Sequence, residues 1–423
     1  MRLQHSLVKV PENNYQPRID DPRVGYFLEY VTDLTSHSHA PYRDLIIRWD
    51  LQKKDPDAEL SEPVEPIVWW IENTTPVEIR ESIKEGALAW NQSFEKAGFK
   101  NAVQVKVQPD DADWDAGDIR YNVLRWTSSP QPPFGGYGPA FTNPRTGQII
   151  GADIMLENVF LTNRIQLADL LASITGTEAM QGIGGQTIHC SVGHNLQLSN
   201  IFGRQAIRSM GLGGELEARM LDEGVRMLIL HEIGHTLGLN HNMKASQIYT
   251  IEQLADADFV AENGLTGSVM DYAPVHLATP GRSQTGFYDV KPGPYDDWAI
   301  EFGYSPDLDG PDGEARRNAL LNRSTDPLLT FGNDADDMRA PGSGVDPRVN
   351  VGDMSADAIA YATERLDLVD QMLGDLRDRT GKEGESYQQL VNAFTVMSYE
   401  FAASARTMSR YVGGGHVNRA MVD

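Results

Sequence analysis

The most informative stretch of this chain is residues 231–241, HEIGHTLGLNH. His231 and His235 are four residues apart, so on an α-helix their imidazoles would lie on the same face. Gly238 stands where such a helix would have to end, because glycine adopts the left-handed conformation without steric cost. The turn that it permits would bring His241 back toward the other two histidines.

This spacing predicts a metal site. Three neutral imidazoles suit zinc, and a fourth position left open for water distinguishes a catalytic zinc site from a closed structural one. Glu232 directly follows the first histidine and would lie over that water as a general base. We therefore predict that His231, His235 and His241 bind one zinc ion and that Glu232 is catalytic.

The stretch resembles the metzincin zinc peptidases, whose signature is H-E-x-x-H-x-x-G-x-x-H followed by a methionine-containing turn beneath the metal. SVMDY, residues 268–272, resembles that turn, and the astacin and serralysin branches also carry a tyrosine two residues after the methionine. The resemblance implies that Met270 forms a hydrophobic floor under the histidines. It also implies that Tyr272 serves as an oxyanion donor.

Asn242, which follows the third histidine, matches none of the residues that mark the astacins, matrixins, serralysins and adamalysins. The longer run HEIGHTLGLNHNMKAS instead resembles the bacterial zinc-dependent metalloproteases called Met-zincins. Three further stretches support this resemblance: DPRVGYF at 21–27, NPRTGQI at 143–149 and PGPYDDWAIEFGY at 292–304. It implies a zinc metalloendopeptidase that acts on proteins or peptides outside the cytoplasm, in the periplasm or the extracellular space.

Several alternatives stay open at this point. An isolated H-E-x-x-H occurs by chance on ordinary helix surfaces. A gluzincin, in which a distant Glu supplies the third ligand, is disfavoured because His241 is available for that role. The two remaining alternatives are a non-catalytic binding module that keeps a zinc fold and a toxin-like protease with one protein target.

Composition narrows the possible partners. The 423 residues include 60 acidic and 36 basic residues, a formal charge of −24, which would repel nucleic acid and anionic membranes. No apolar run approaches the roughly 20 residues that a membrane span needs. The stretch 1–20 lacks the apolar core of a signal peptide. We expect the chain to be a piece of a longer, exported protein; its sequence does not specify an oligomeric state.

The single cysteine, Cys190, excludes an intrachain disulfide and is expected to be a free, partly buried thiol rather than a switch that caps the zinc. His189 and His194 flank it and are expected to be ordinary loop residues.

Four aspartates could hold calcium, although their spacing fits no EF-hand and a solvated acidic loop is the alternative. They are Asp334, Asp336, Asp337 and Asp346.

We predict an α+β fold: a metzincin-like catalytic domain with a mixed twisted sheet, a zinc-binding helix and a small lower subdomain after the third histidine. A β-rich N-terminal remnant precedes it, and a C-terminal helical hairpin follows. The predicted domains are residues 1–63, the tail of a β-rich precatalytic domain; residues 64–305, the catalytic domain with an insertion at 160–214; and residues 306–423, an acidic linker and helical region.

Alternating and β-branched patterns predict strands at 26–31, 45–51, 67–71, 103–107, 119–123, 138–141 and 148–156. Thr75 to Glu78 resembles a capping box with proline at the first helical position, and it opens an apolar helical period that continues to Gly98. Further helices are expected at 165–174, from Glu215 through the zinc motif, at 295–304, and in two amphipathic stretches, 359–373 and 390–401.

Overall fold

The structure is a computed structural model of the chain. It describes residues 5–129, 136–138, 140–158, 192–279, 281–334, 338, 344–380, 384, 386–419 and 421. These residues form one large mixed sheet, helices that pack on it, and a C-terminal helical hairpin.

The strands are β1 (Leu28–Glu29), β2 (Leu45–Ile46), β3 (Arg48–Trp49), β4 (Ile67–Ile71), β5 (Val103–Val107), β6 (Asn122–Thr127), β7 (Gly136–Tyr137), β8 (Ala140–Thr142) and β9 (Gln148–Glu157). β1 and β2 form a small antiparallel sheet of their own. The large sheet has the order β3-β9-β6-β4-β5, with every neighbouring pair parallel. β7 and β8 run antiparallel against β9, so the sheet is mixed.

The helices are α1 (Val77–Ala89), α2 (Asn91–Lys96), α3 (Val192–Ser209), α4 (Gly214–Thr236), α5 (Ile251–Leu254), α6 (Ala257–Asn263), α7 (Pro294–Tyr304), α8 (Gly313–Leu321), α9 (Ala358–Thr380) and α10 (Gln388–Arg410). Among the described helices, none combines the length and the apolar composition that crossing a membrane requires.

The core lies between the sheet and the helices α1, α2 and α4. The apolar period predicted from the sequence is buried, since Ile83, Ala87, Trp90 and Phe94 have no exposed surface. Trp69, in the centre of β4, is equally buried. At the C-terminus, the guanidinium Nε of Arg365 on α9 donates to the Glu400 carboxylate on α10 at 2.7 Å. The predicted mixed sheet, long helix through the histidines and C-terminal hairpin are confirmed, and the predicted domain boundaries stay predictions.

The capping box predicted at Thr75 is wrong. Pro76 has an extended ψ of 135° and is itself the residue before the first helical residue, so Thr75 lies one position too early to cap α1. The helix predicted to continue to Gly98 is divided at Trp90 into α1 and α2. There the Trp90 indole N–H donates to the carbonyl of Leu230 on α4 at 3.0 Å, which fixes α1 and α2 against the long helix.

The strand predicted at 119–123 is also misplaced, because β6 begins only at Asn122. The Asp118 carboxylate accepts a hydrogen bond from the Arg120 N–H at 3.1 Å, and the Asp118 carbonyl accepts one from the Tyr121 N–H at 3.0 Å. These bonds form a turn over the first half of the predicted strand. The stretch predicted at 138–141 is two short strands, β7 and β8, and the one at 45–51 is β2 and β3.

The predicted insertion at 160–214 is described only in its last part. That part forms α3. The helical piece predicted at 165–174 lies outside the described residues.

The end of α4 has the geometry that the sequence predicted. Gly238 has a φ of +97°, the left-handed conformation. The Leu239 N–H donates to the Gly234 carbonyl at 3.0 Å, and the Gly238 N–H donates to the His235 carbonyl at 3.0 Å. This pair of bonds is a Schellman motif, which satisfies carbonyls at the helix end and turns the chain back. A Cβ at position 238 would also overlap the carbonyl oxygen of Ile47.

Gly238→Ala is therefore expected to lower the free energy of unfolding by about 2 to 5 kcal/mol, the sum of the left-handed penalty and the overlap. Gly211→Ala is the matched control, because Gly211 also has a positive φ, +70°, but has no atom within 4 Å of its Cβ position. That control should cost only about 1 to 2 kcal/mol. Urea unfolding of both variants measures the difference, and equal losses would contradict the close approach at Ile47.

Candidate metal centre

Two of the predicted ligands lie on the last turns of α4. His231 is completely buried and His235 is 6% exposed, and their ring centroids are 4.7 Å apart. The helix carries them rigidly because its second half is buried on nearly all sides.

The Schellman turn brings His241 to the same place. Its ring centroid lies 5.3 Å from that of His231 and 4.7 Å from that of His235. The candidate ligand atoms of the three histidines lie within 4.8 Å of one another, close enough to share one metal ion. Within the described ranges, no other group of three His, Cys, Asp or Glu side chains has this geometry.

Hydrogen bonds orient all three imidazoles. The Nδ1 atom of His231 lies 2.8 Å from the Val269 carbonyl, and that of His235 lies 2.9 Å from the Leu239 carbonyl. The Nδ1 atom of His241 lies 3.0 Å from the Asp334 carboxylate. Since each partner is an acceptor, Nδ1 carries the proton in all three rings and Nε2 is the nitrogen with a lone pair for a metal.

Electrostatics favour the neutral form that binds metals. Burial, followed by the neighbouring imidazoles, lowers the pKa of His231 well below its ordinary value. Burial and the nearby His241 lower the pKa of His235 to about 3. Both rings are therefore neutral at neutral pH, as metal coordination requires.

Glu232, the predicted general base, follows His231 on α4 and is completely buried. The backbone at Gly138, between β7 and β8, passes close to it, since a Cβ built at Gly138 would lie 3.0 Å from the Glu232 carbonyl oxygen. The antiparallel edge of the sheet thus borders α4 at Glu232, the first of the three residues between the two helical histidines.

The 268–272 turn lies against the same helix. Met270 is completely buried, and a Cβ at Gly234 would overlap its sulfur, so this glycine lets the methionine pack directly on α4 between the histidines. Tyr272 is 4% exposed, and its hydroxyl lies 3.0 Å from Nε2 of His241. Because Nδ1 of His241 is the protonated nitrogen, the phenol donates this bond, and its oxygen lies on the Nε2 side of the ring.

Asp296, on α7, holds this turn in place. Its carboxylate accepts hydrogen bonds from the Ser268 hydroxyl at 2.5 Å, the Val269 N–H at 2.9 Å and the Gly293 N–H at 2.8 Å. Burial raises the pKa of Asp296 to about 7. The residue anchored by this carboxylate, Val269, is the one whose carbonyl orients His231, so α7 controls a ligand through the turn.

The N-terminal segment also reaches the site. The Phe27 ring packs against His235, with 5.4 Å between the centroids, and the Phe27 N–H donates to the Gly238 carbonyl at 2.7 Å. The Trp49 indole donates to the Thr236 carbonyl at 2.8 Å, and the Tyr304 hydroxyl donates to the Leu237 carbonyl at 2.8 Å. These donors satisfy carbonyls that the end of α4 leaves without helical partners.

Sequence patterns missed these supporting residues. Asp334 and Asp346 are 4% and 2% exposed, so the solvated acidic loop predicted as the alternative to a calcium site is wrong for them. Asp334 contacts His241, and Asp346 binds Lys244 and Arg348 at 3.3 Å and 2.7 Å. The described carboxylates of this loop are thus engaged with protein groups and give calcium no support. Asp336, Asp337, His189 and Cys190 lie outside the described residues. The loop position predicted for His194 is wrong, because this residue is on α3; its side chain is not described.

Comparison with known families agrees with the geometry. Residues 214–423 match the family model described as Met-zincin, and residues 1–54 match a domain of unknown function, DUF5117. No curated protein and no solved structure gives a significant match. The part of the chain that carries the three histidines belongs to the Met-zincin family. Together, family and histidine cluster support a zinc metalloprotease.

The residues present fit zinc. Three imidazole nitrogens with lone pairs face one small volume, and three protein ligands with an open fourth position are typical of catalytic zinc sites.

His241→Ala should lower the zinc content of the dialysed protein well below one ion per chain, because only two protein ligands would remain. His276→Ala is the matched control, since His276 is also buried but its Nδ1 faces the Tyr361 hydroxyl at 3.3 Å. The control should keep its zinc. Metal analysis by mass spectrometry distinguishes the two, and full zinc retention in His241→Ala would point to a different third ligand.

Proposed function

We propose that the chain is a zinc endopeptidase, which hydrolyses internal peptide bonds of proteins or peptides. The observation that carries this proposal is the set of three buried imidazoles whose Nδ1 atoms are all held by acceptors, with the Glu232 carboxylate on the same helix. The Met-zincin match over residues 214–423 supports it independently.

Bound zinc would polarise the scissile carbonyl and lower the pKa of a water molecule to about 7. Glu232 would accept the proton of the attacking water and deliver it to the leaving amine. Its burial supports this role, because a carboxylate shielded from bulk solvent exchanges its proton with the reactants rather than with the medium.

Tyr272 would stabilise the oxyanion that forms when the peptide carbonyl is attacked. Its hydroxyl lies 3.0 Å from Nε2 of His241, so it is close to the reaction centre before substrate arrives. Met270 has no proton or charge to contribute, and its role would be to fill the space beneath the helical histidines.

The substrate would lie extended along the antiparallel edge of the sheet at β7 and β8, adding a strand through backbone hydrogen bonds. The close approach of Gly138 to Glu232 supports this path. A cavity of about 380 Å³ is lined by Tyr272, Pro274, Phe202 and Val396. Its lining is mixed, because Asn350, Glu400 and Arg406 also border it, and it opens beside the 268–272 turn.

The experiment that tests the proposal is a cleavage assay of the full chain against casein and a peptide library, with and without a zinc chelator. We expect internal cleavage that the chelator abolishes. Cleavage of a single protein but not of casein would favour a dedicated, toxin-like protease. Stoichiometric zinc with no cleavage of any substrate would favour a non-catalytic binding module.

We also propose, from the resemblance to exported bacterial metzincins, that the protein acts in the periplasm or the extracellular space. The formal charge of −24 supports this, because strongly acidic proteins stay soluble in salty surroundings. Fractionation of the source cells tests it, and recovery of the protein only from the cytoplasm would contradict it.

Glu232→Gln should keep zinc and fold but lower the rate of peptide hydrolysis by roughly 10² to 10⁴, the range typical of general acid–base catalysis. Glu215→Gln is the matched control, since Glu215 is an exposed glutamate in the first turn of the same helix. The control should retain its activity. Steady-state rates of the zinc-loaded variants decide the matter, and near wild-type activity in Glu232→Gln would rule out the proposed base.

Tyr272→Phe should lower kcat by roughly 10 to 10³ with little change in KM, as expected when a donor that acts in the transition state is removed. Tyr249→Phe is the control, because Tyr249 has the same exposure of 4% and its hydroxyl bonds to Asn263 instead. Kinetics of both variants on one peptide provide the comparison. An unchanged kcat in Tyr272→Phe would leave Tyr272 with a packing role.

A further inference from the structure

The third histidine is held differently from the other two. His231 and His235 lie on α4, whose hydrogen bonds fix their backbone, whereas His241 follows the Schellman turn and lies on no helix. An imidazole outside a helix depends more on contacts of its own side chain for a metal-binding orientation.

A segment far along the chain supplies such contacts. We call residues 330–334 the strap. The Asn242 amide donates to the Thr330 carbonyl at 2.9 Å and accepts from the Gly332 N–H at 3.2 Å. The Met243 N–H donates to the Gly332 carbonyl at 2.8 Å. Asn242 therefore ties the strap to the loop that carries the third histidine, which gives this unusual residue a structural role.

The strap ends at Asp334, whose carboxylate accepts the Nδ1–H of His241 at 3.0 Å. The two side chains are 6% and 11% exposed, so water screens this contact little. The partners of His231 and His235 at Nδ1 are the uncharged carbonyls of Val269 and Leu239. A carboxylate is the stronger acceptor, and it makes the ring a more basic metal ligand.

We propose that Asp334 is a positioning residue for the third zinc ligand. It fixes the Nδ1–H tautomer of His241, turns Nε2 toward the other two histidines and thereby raises zinc affinity. This inference rests on the zinc site of the proposed function. In this proposal the Asp334 carboxylate acts on the zinc site by orienting His241, and it is not part of a separate calcium site.

The first test measures the zinc dissociation constant of the full chain by competition with a chelator. Asp334→Ala should raise the Kd by about 10- to 100-fold, the usual effect of removing such a partner. Asp334→Asn should raise it less, because the amide oxygen still accepts the hydrogen bond but lacks the charge. Asp326→Asn is the control, because it removes the same charge from an exposed residue just before the strap. The zinc Kd of this variant should stay within about twofold of the wild-type value.

The second test determines the tautomer of His241 by NMR of zinc-free, nitrogen-15-labelled protein. The ring should be protonated at Nδ1 in the wild type, and the population protonated at Nε2 should increase in Asp334→Ala. A residue that only stabilised the fold would lower Tm without changing this signature.

The outcomes separate the two proposals. If the wild type binds one zinc and the Asp334 variants bind it equally well with an unchanged tautomer, the positioning role is overturned. If the wild type binds no zinc, the proposed function fails, while the tautomer of His241 in the zinc-free protein still decides the role of Asp334. If Asp334→Ala does not fold, the nearly isosteric Asp334→Asn decides it, and an unchanged Kd there overturns the proposal.

Discussion

Three imidazoles occupy one small buried volume, and each has its Nδ1 atom held by an oxygen acceptor. The rest of the site depends on these hydrogen bonds, because they turn the Nε2 atoms of the three imidazoles toward a common point. Buried imidazoles without such partners would lose solvation and gain no defined orientation. The acceptors come from the 268–272 turn, the Schellman loop and the strap, so three separate parts of the chain must be in place at once.

The surrounding fold keeps those parts in place. Trp90 fixes α4 just before His231, and Asp296 fixes the turn whose carbonyl orients that histidine. From the N-terminal side, Trp49 bonds to the end of α4 and Phe27 packs on His235. The segment matched as DUF5117 therefore contacts the histidine cluster of the segment matched as Met-zincin directly.

Local spacing made much of this centre predictable. The interval between His231 and His235, and the position of Gly238, predicted a helix, its end and the return of the third histidine. The supporting contacts could not be predicted, because they join distant residues: Asp334 lies 93 positions from His241, and Trp49 lies 187 positions from Thr236. No periodicity links such pairs. The predicted capping box is wrong for a local reason: Pro76 is extended and directly precedes α1, so Thr75 lies one residue too far from the helix to cap it.

X-ray absorption spectroscopy of the zinc-loaded protein tests the central claim most directly, because it reports the atoms around the metal. The account predicts a first shell of light atoms at about 2.0–2.1 Å with the outer-shell scattering of three imidazoles, and no sulfur. A sulfur contribution at about 2.3 Å would point to Cys190 as a ligand and contradict the three-histidine centre. So would scattering from only one or two imidazoles.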